Sequence, residues 1–273
     1  MRWCILACFT LYITGIGRAT PILAPATFSQ IGILGGPSGS PVEIAMALVP
    51  YSNTLIVPGV QNAVVSVSAT GAASYGSLHA DLTMSLSDPS RQAQASGFLS
   101  SVWRDIWTIT FGDLTGLGYL ELQYAVDGTL SSSASGRSTP NILSDVWSPT
   151  ISTQSENVNL TGGDQIVTMP QFYMFHYGES FNVSAQLSAL IQLGTGNGAG
   201  SVDYANTATL NGIQVFDASM NPVADFAISS ASGTLYGPDG IVAEPSSLSM
   251  GLFGTAVIAL NFLKKSPTKK RRG

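Results

Sequence analysis

Residues 77–86 read SLHADLTMSL, and their alternation decides the fold. Leu78, Ala80, Leu82, Met84 and Leu86 fall on one side; Ser77, His79, Asp81, Thr83 and Ser85 fall on the other. A period of two is that of a strand with one buried face. Phe181, Val183, Ala185, Leu187, Ala189 and Ile191 repeat the pattern, as do Leu120, Leu122, Tyr124 and Val126. Further strands are predicted at Ala63–Ser68, Val102–Phe111, Gln165–Met169, Gln171–Tyr177, Thr207–Phe216 and Asp225–Ser230. Turn residues separate them: Asp127-Gly128, Thr161 to Asp164, Gly194 to Gly198 and Asn221-Pro222. No helical period of useful length interrupts the series. The pattern implies an all-β, two-sheet sandwich, with long strands and connections that favour a jelly roll. Residues 20–60 look less regular and are expected to wrap an edge. Ser131–Thr139, SSSASGRST, is expected to be a polar surface loop.

Charge divides the chain. Between residues 20 and 243 there are fifteen acids, three arginines (Arg91, Arg104, Arg137) and no lysine, a net of −12. Such a body repels nucleic acid and anionic membrane. Every lysine lies at the end: Lys264, Lys265, Lys269 and Lys270, followed by Arg271 and Arg272.

The two ends carry targeting patterns. Arg2, the uncharged apolar stretch Cys4–Ile16 and the small residues Gly17 and Ala19 have the layout of a signal peptide cut after Ala19. Both cysteines, Cys4 and Cys8, lie within it, so the mature body would hold neither disulfide nor thiol. Leu248–Leu263 is uncharged, and as a helix would cover about 24 Å. A bilayer core is about 30 Å, so the run spans if Ser246 and Ser247 enter one interface and Lys264 and Lys265 snorkel at the other. The basic tail then marks the cytoplasmic side and leaves the body outside. The expected division is signal helix 1–19, sandwich 20–233, tether 234–243, and box, transmembrane helix and tail 244–273.

Glu244-Pro245-Ser246-Ser247, the short span and the Lys/Arg tail resemble the PEP-CTERM sorting domain. Ala243 stands where that box has its first proline. Residues 203–236 and the segments WRDIWTITFG and GYLELQYAVDGTL are also similar to parts of such proteins. The resemblance implies export through the Sec translocon, transient residence in the inner membrane and processing by an exosortase at Ala243–Ser247. Its destination would be the cell envelope or extracellular matrix. It implies no active site.

Chemistry is sparse. Two histidines, His79 and His176, without cysteines make a poor zinc set. Gly36-Pro37-Ser38-Gly39-Ser40 misses the hydrolase elbow at its last place, and the body has no lysine to activate a serine. Asp105, Glu121 and Glu179 could belong to a glycosidase pair, but nothing singles them out. The turns at Asp203–Asn206 and Tyr236–Gly240 offer carboxylates and carbonyls to calcium without an EF-hand pattern. The glycine-rich stretch 194–200 lies between strands, so it reads as a hairpin loop and not a phosphate loop.

In SVWRDIWTITF, Trp103, Asp105 and Trp107 share a face. On an open face the two indoles would stack on sugar rings; on the inner face they would be core, with Asp105 awkwardly between them. The chain is therefore read as a non-enzymatic exported sandwich with no cofactor. An exopolysaccharide-binding module using Trp103 and Trp107 is the alternative, and a hydrolase the third reading.

Overall fold

The computed structural model describes residues 25–34, 41–48, 51–56, 62–134 and 136–242. Two antiparallel sheets pack face to face as a sandwich. The first runs β10 (Gln154–Asn159), β9 (Gly136–Trp147), β13 (Ser180–Leu193), β6 (Gln94–Thr110), β1 (Ala26–Leu34) and β2 (Pro41–Leu48). Beside β1, the short β15 (Ala227–Ser230) pairs with the other end of β6. The second runs β11 (Gln165–Thr168), β7 (Gly116–Val126), β14 (Gly198–Phe216), β5 (Ser77–Ser87), β4 (Val64–Ser74) and β3 (Tyr51–Ile56). β12 (Tyr173–Tyr177) also pairs with β7, and β8 (Thr129–Ser132) with β14. A small hairpin, β16 (Tyr236–Gly237) and β17 (Gly240–Ile241), follows β15.

The alternation sets which face is buried. Leu78, Ala80 and Leu82 of β5 and Phe181, Val183, Ala185 and Leu187 of β13 all enter one core. A one-residue slip in either strand would put its polar set inside, so the pattern fixes the register as well as the element. Hydroxyls tie the layers together: Tyr173 Oη donates to the Ser144 carbonyl at 3.1 Å, and Tyr124 Oη lies 3.4 Å from Ser144 Oγ. Burial raises the Tyr173 phenol above its ordinary value, so it stays a neutral donor. At the sandwich edge, the Gln154 amide meets both backbone groups of Met174, donating to its carbonyl at 3.0 Å and accepting from its N–H at 2.7 Å. A side chain thus occupies backbone sites through which β12 could recruit another strand.

Three expectations change. Residues 20–60 hold β1, β2 and β3, which extend both sheets. Their sequence hid this because β2, PVEIAMAL, is apolar at both parities and β1 shifts register at Ile33/Leu34. The predicted loop Ser131–Thr139 is mostly strand. β8 pairs with Gly200–Asp203, and the Gly136 N–H donates to the Ser133 carbonyl at 2.8 Å to close a tight turn into β9. Backbone pairing there outweighs a serine-rich composition. Finally, the expected tether 234–243 is packed as far as Val242. The Ile213 N–H donates to the Pro238 carbonyl at 2.9 Å and the Val242 N–H to the Leu235 carbonyl at 2.9 Å. Gly240, at φ +84°, lies so close to the Leu210 carbonyl that a Cβ would meet it at 2.1 Å. The expected signal helix and transmembrane helix lie outside the described residues. Among the described residues no helix is long and apolar enough to cross a membrane.

Candidate functional site

Strand β6 decides the fate of the tryptophan pair. Its odd-numbered residues face the core, so Trp103 and Trp107 are 1% and 0% exposed. Their rings stack with centroids 6.4 Å apart; Phe181 meets Trp107 edge-on and Tyr236 lies 4.6 Å from it. The alternative reading of Trp103 and Trp107 as sugar contacts is corrected: the second sheet and Tyr236 cover that face, and both rings belong to the core. Both indole N–H groups are buried without an acceptor.

Asp105, awkward in the sequence, is fully buried between them. Its Oδ1 accepts the Ile106 N–H at 2.8 Å and the Ser232 N–H at 3.1 Å. Its Oδ2 accepts the hydroxyls of Ser230 at 2.7 Å, Ser232 at 2.6 Å and Tyr236 at 3.1 Å. Five donors make a buried carboxylate tolerable, because each replaces a lost water contact. Burial, with the Asp105 charge next to it, pushes the Tyr236 phenol up, so it too remains a donor. The group is a structural fastener for residues 227–242, closed to solvent.

The other candidate residues do not converge. Glu121 lies on the outer face of β7, where its Oε1 accepts from Gln123 Nε2 at 3.0 Å; Glu179 is exposed in the turn between β12 and β13. His79 sits on β5 and His176 on β12, and among the described residues no three His, Cys, Asp or Glu side chains are placed to hold a metal. Asp203 lies within β14 opposite Asp81, not in a turn. Burial and the neighbouring Asp203 raise the Asp81 carboxyl, against a hydrogen bond from Thr70. Residues 194–197 do form the β13–β14 hairpin loop. The sorting residues Ala243–Ser247 and the flank Lys264, Lys265, Lys269, Lys270, Arg271 and Arg272 lie outside the described residues.

Two clefts open at loops. One, about 520 Å³, is lined by Asp88, Arg91, Ser133, Thr195 and Asn197, where the β5–β6, β8–β9 and β13–β14 connections meet. The other, about 480 Å³, is lined by Asp127, Asp164, Gln165, Ile166 and Thr209.

The outer face of the first sheet carries a group that sequence reading missed. Trp147 ends β9 half-buried, and the Arg104 guanidinium lies over its ring, 4.7 Å from the centroid. Burial lowers the Arg104 pKa from its ordinary value, and Asp145 opposes the shift. Register puts Ser155, Asp145, Ser184 and Arg104 in one row across β10, β9, β13 and β6. Asp145 accepts from Ser155 and, at 3.2 Å, from Ser184. Asn182 stands opposite Trp147, and Asn141 Nδ2 donates to Asn157 Oδ1 at 2.8 Å. Alternation over Asn141, Leu143, Asp145 and Trp147 could have signalled this face, had β9 been recognised as a strand.

No protein-family model matches the chain, and no curated protein does. A solved structure of TmCBM61 in complex with beta-1,4-galactotriose is similar over 57% of this chain and 88% of its own, at 14% identity and a TM-score of 0.20.

Proposed function

We propose that this chain is an exported, non-catalytic β-sandwich of the cell envelope or extracellular matrix, sorted through a PEP-CTERM-like C-terminal signal. The carrying observation is the partition of charge. Every lysine follows the apolar run 248–263, while residues 20–243 hold fifteen acids and three arginines. A basic cluster beside an uncharged run is what orientation in a membrane requires. An acidic body suits solubility outside the cell. The partners on this reading are the Sec translocon, the inner membrane for a time, and an exosortase acting at Ala243–Ser247.

The buried Asp105 group supports such processing, because it fastens the chain as far as Tyr236 to the core. A cut at the box would then leave the sandwich whole. Mass spectrometry of the protein recovered outside the producing cell tests this. Its C-terminus is expected between residues 243 and 247. Extracellular protein that retains residues 248–273, or protein found only in the cytoplasm, would overturn the reading.

A further inference from the structure

We infer that the outer face of the first sheet, around Trp147, is a binding site for a neutral oligosaccharide. The inference stands apart from the sorting proposal, since it uses only side chains of the sandwich.

The two outer faces differ in chemistry. On the second sheet Glu121 and Gln123 of β7 bond each other, and several cross-strand partners are hydroxyls that do the same: Thr54 with Ser66 at 3.3 Å, and Ser131 with Ser201 at 2.7 Å. These hydroxyls reach little beyond the sheet. On the first sheet, β9, β10, β13 and β6 present planar groups instead: the indole of Trp147, the guanidinium of Arg104, the carboxylate of Asp145 and the amides of Asn141, Asn157 and Asn182. A sugar ring has two apolar faces and a rim of hydroxyls that both donate and accept. An aromatic plane suits the faces, and flat polar groups with paired sites suit the rim.

Hydrogen-bonding capacity remains on this face. An amide offers two donors and two acceptor sites, and the contact between Asn141 and Asn157 uses one on each. Arg104 stacks on one face of the half-buried Trp147 ring. The four strands from β10 to β6 span about 14 Å at the usual strand spacing, room for a short oligosaccharide lying across them.

Charge selects the occupant. Arg104 and Asp145 offset each other within the site, so neither a cationic nor an anionic ligand is favoured locally. The remainder of the body is strongly acidic and would repel a polyuronate or nucleic acid.

A glycan array carrying neutral and uronic-acid oligosaccharides, probed with the full chain, tests the site. The expected result is retention on neutral oligosaccharides only. It should fall at least tenfold in Trp147→Ala and in Asn182→Ala, and recover in part in Trp147→Phe. Asn182 is half-buried and its Nδ2 donates to the Trp147 carbonyl at 3.5 Å, so a thermal melt of Asn182→Ala like that of the parent would show that the loss is not unfolding. Absence of retention on every neutral glycan, retention on uronic acids alone, or retention that both alanine variants leave intact would each overturn the inference. None of these outcomes bears on where the C-terminus is cut.

Discussion

Asp88 and Asp105 are both 1% exposed or less, yet they are held in opposite ways. Asp88 takes its donors from its own loop: Ser90 N–H at 3.1 Å, Ser90 Oγ at 2.6 Å and Ala93 N–H at 2.6 Å. Its own N–H donates to Asn197 Oδ1 at 2.9 Å, joining the loop to the β13–β14 hairpin. Asp105 takes four of its five donors from residues 125 to 131 positions away. The first carboxylate shapes a turn. The second joins the middle of the chain to its last described strands. The same side chain is a local device in one place and a device of topology in the other.

Removing Asp105 should therefore cost most. Asp105→Ala leaves the hydroxyls of Ser230, Ser232 and Tyr236 without their shared acceptor, and each buried donor stranded in this way costs about 1–3 kcal/mol. Urea unfolding should show that loss, together with faster proteolysis between residues 227 and 242. If the midpoint hardly moves, the fastener idea fails. Asp88→Ala should cost less, about 1–3 kcal/mol, because the donors it strands sit at a surface loop that water can reach after a small shift. Its proteolysis should quicken near residues 88–93 and leave 227–242 protected. The same cleavage pattern in both variants would erase the contrast. Tyr236→Phe should cost least of the three, about 1 kcal/mol. It deletes one donor of five, and the ring still packs on Trp107.

This contrast also explains what the sequence disclosed. Asp88-Pro89-Ser90 could have been read as an aspartate turn, because all its parts lie within a few residues. The strands with strict alternation, such as β5 and β13, were likewise legible, since burial acts on them residue by residue. Asp105 was visible only as an anomaly between two tryptophans. Nothing near it announces Ser230, Ser232 or Tyr236, because contacts over 125 residues leave no local period. The stretch 234–242 read as a tether for the same reason: its glycines and Pro238 suggest a loose linker, and only the fold shows Gly240 pressed on Leu210. The Trp147 face escaped because β9 begins inside the serine-rich run 131–139, SSSASGRST, whose composition hides its register. Residue type alone left Trp103 and Trp107 open between core and sugar contact, since indoles suit both.

Acid gives a last and smaller effect at Asp88. Burial works against the Asp88 charge, but the hydrogen bonds from Ser90, Ala93 and Gln92 outweigh it, and its pKa falls below the ordinary 3.8. A group whose folded pKa is depressed stabilises the fold at pH above its unfolded value, and that contribution fades as pH falls through the folded value. Asp88→Asn cannot titrate, so the stability gap between it and the parent should hold at about pH 6 and narrow at about pH 2.5. Urea midpoints at the two pH values measure the gap. A gap that stays constant would mean that the Ser90 and Ala93 donors do not favour the ionised form, and that Asp88 shapes its loop through geometry alone.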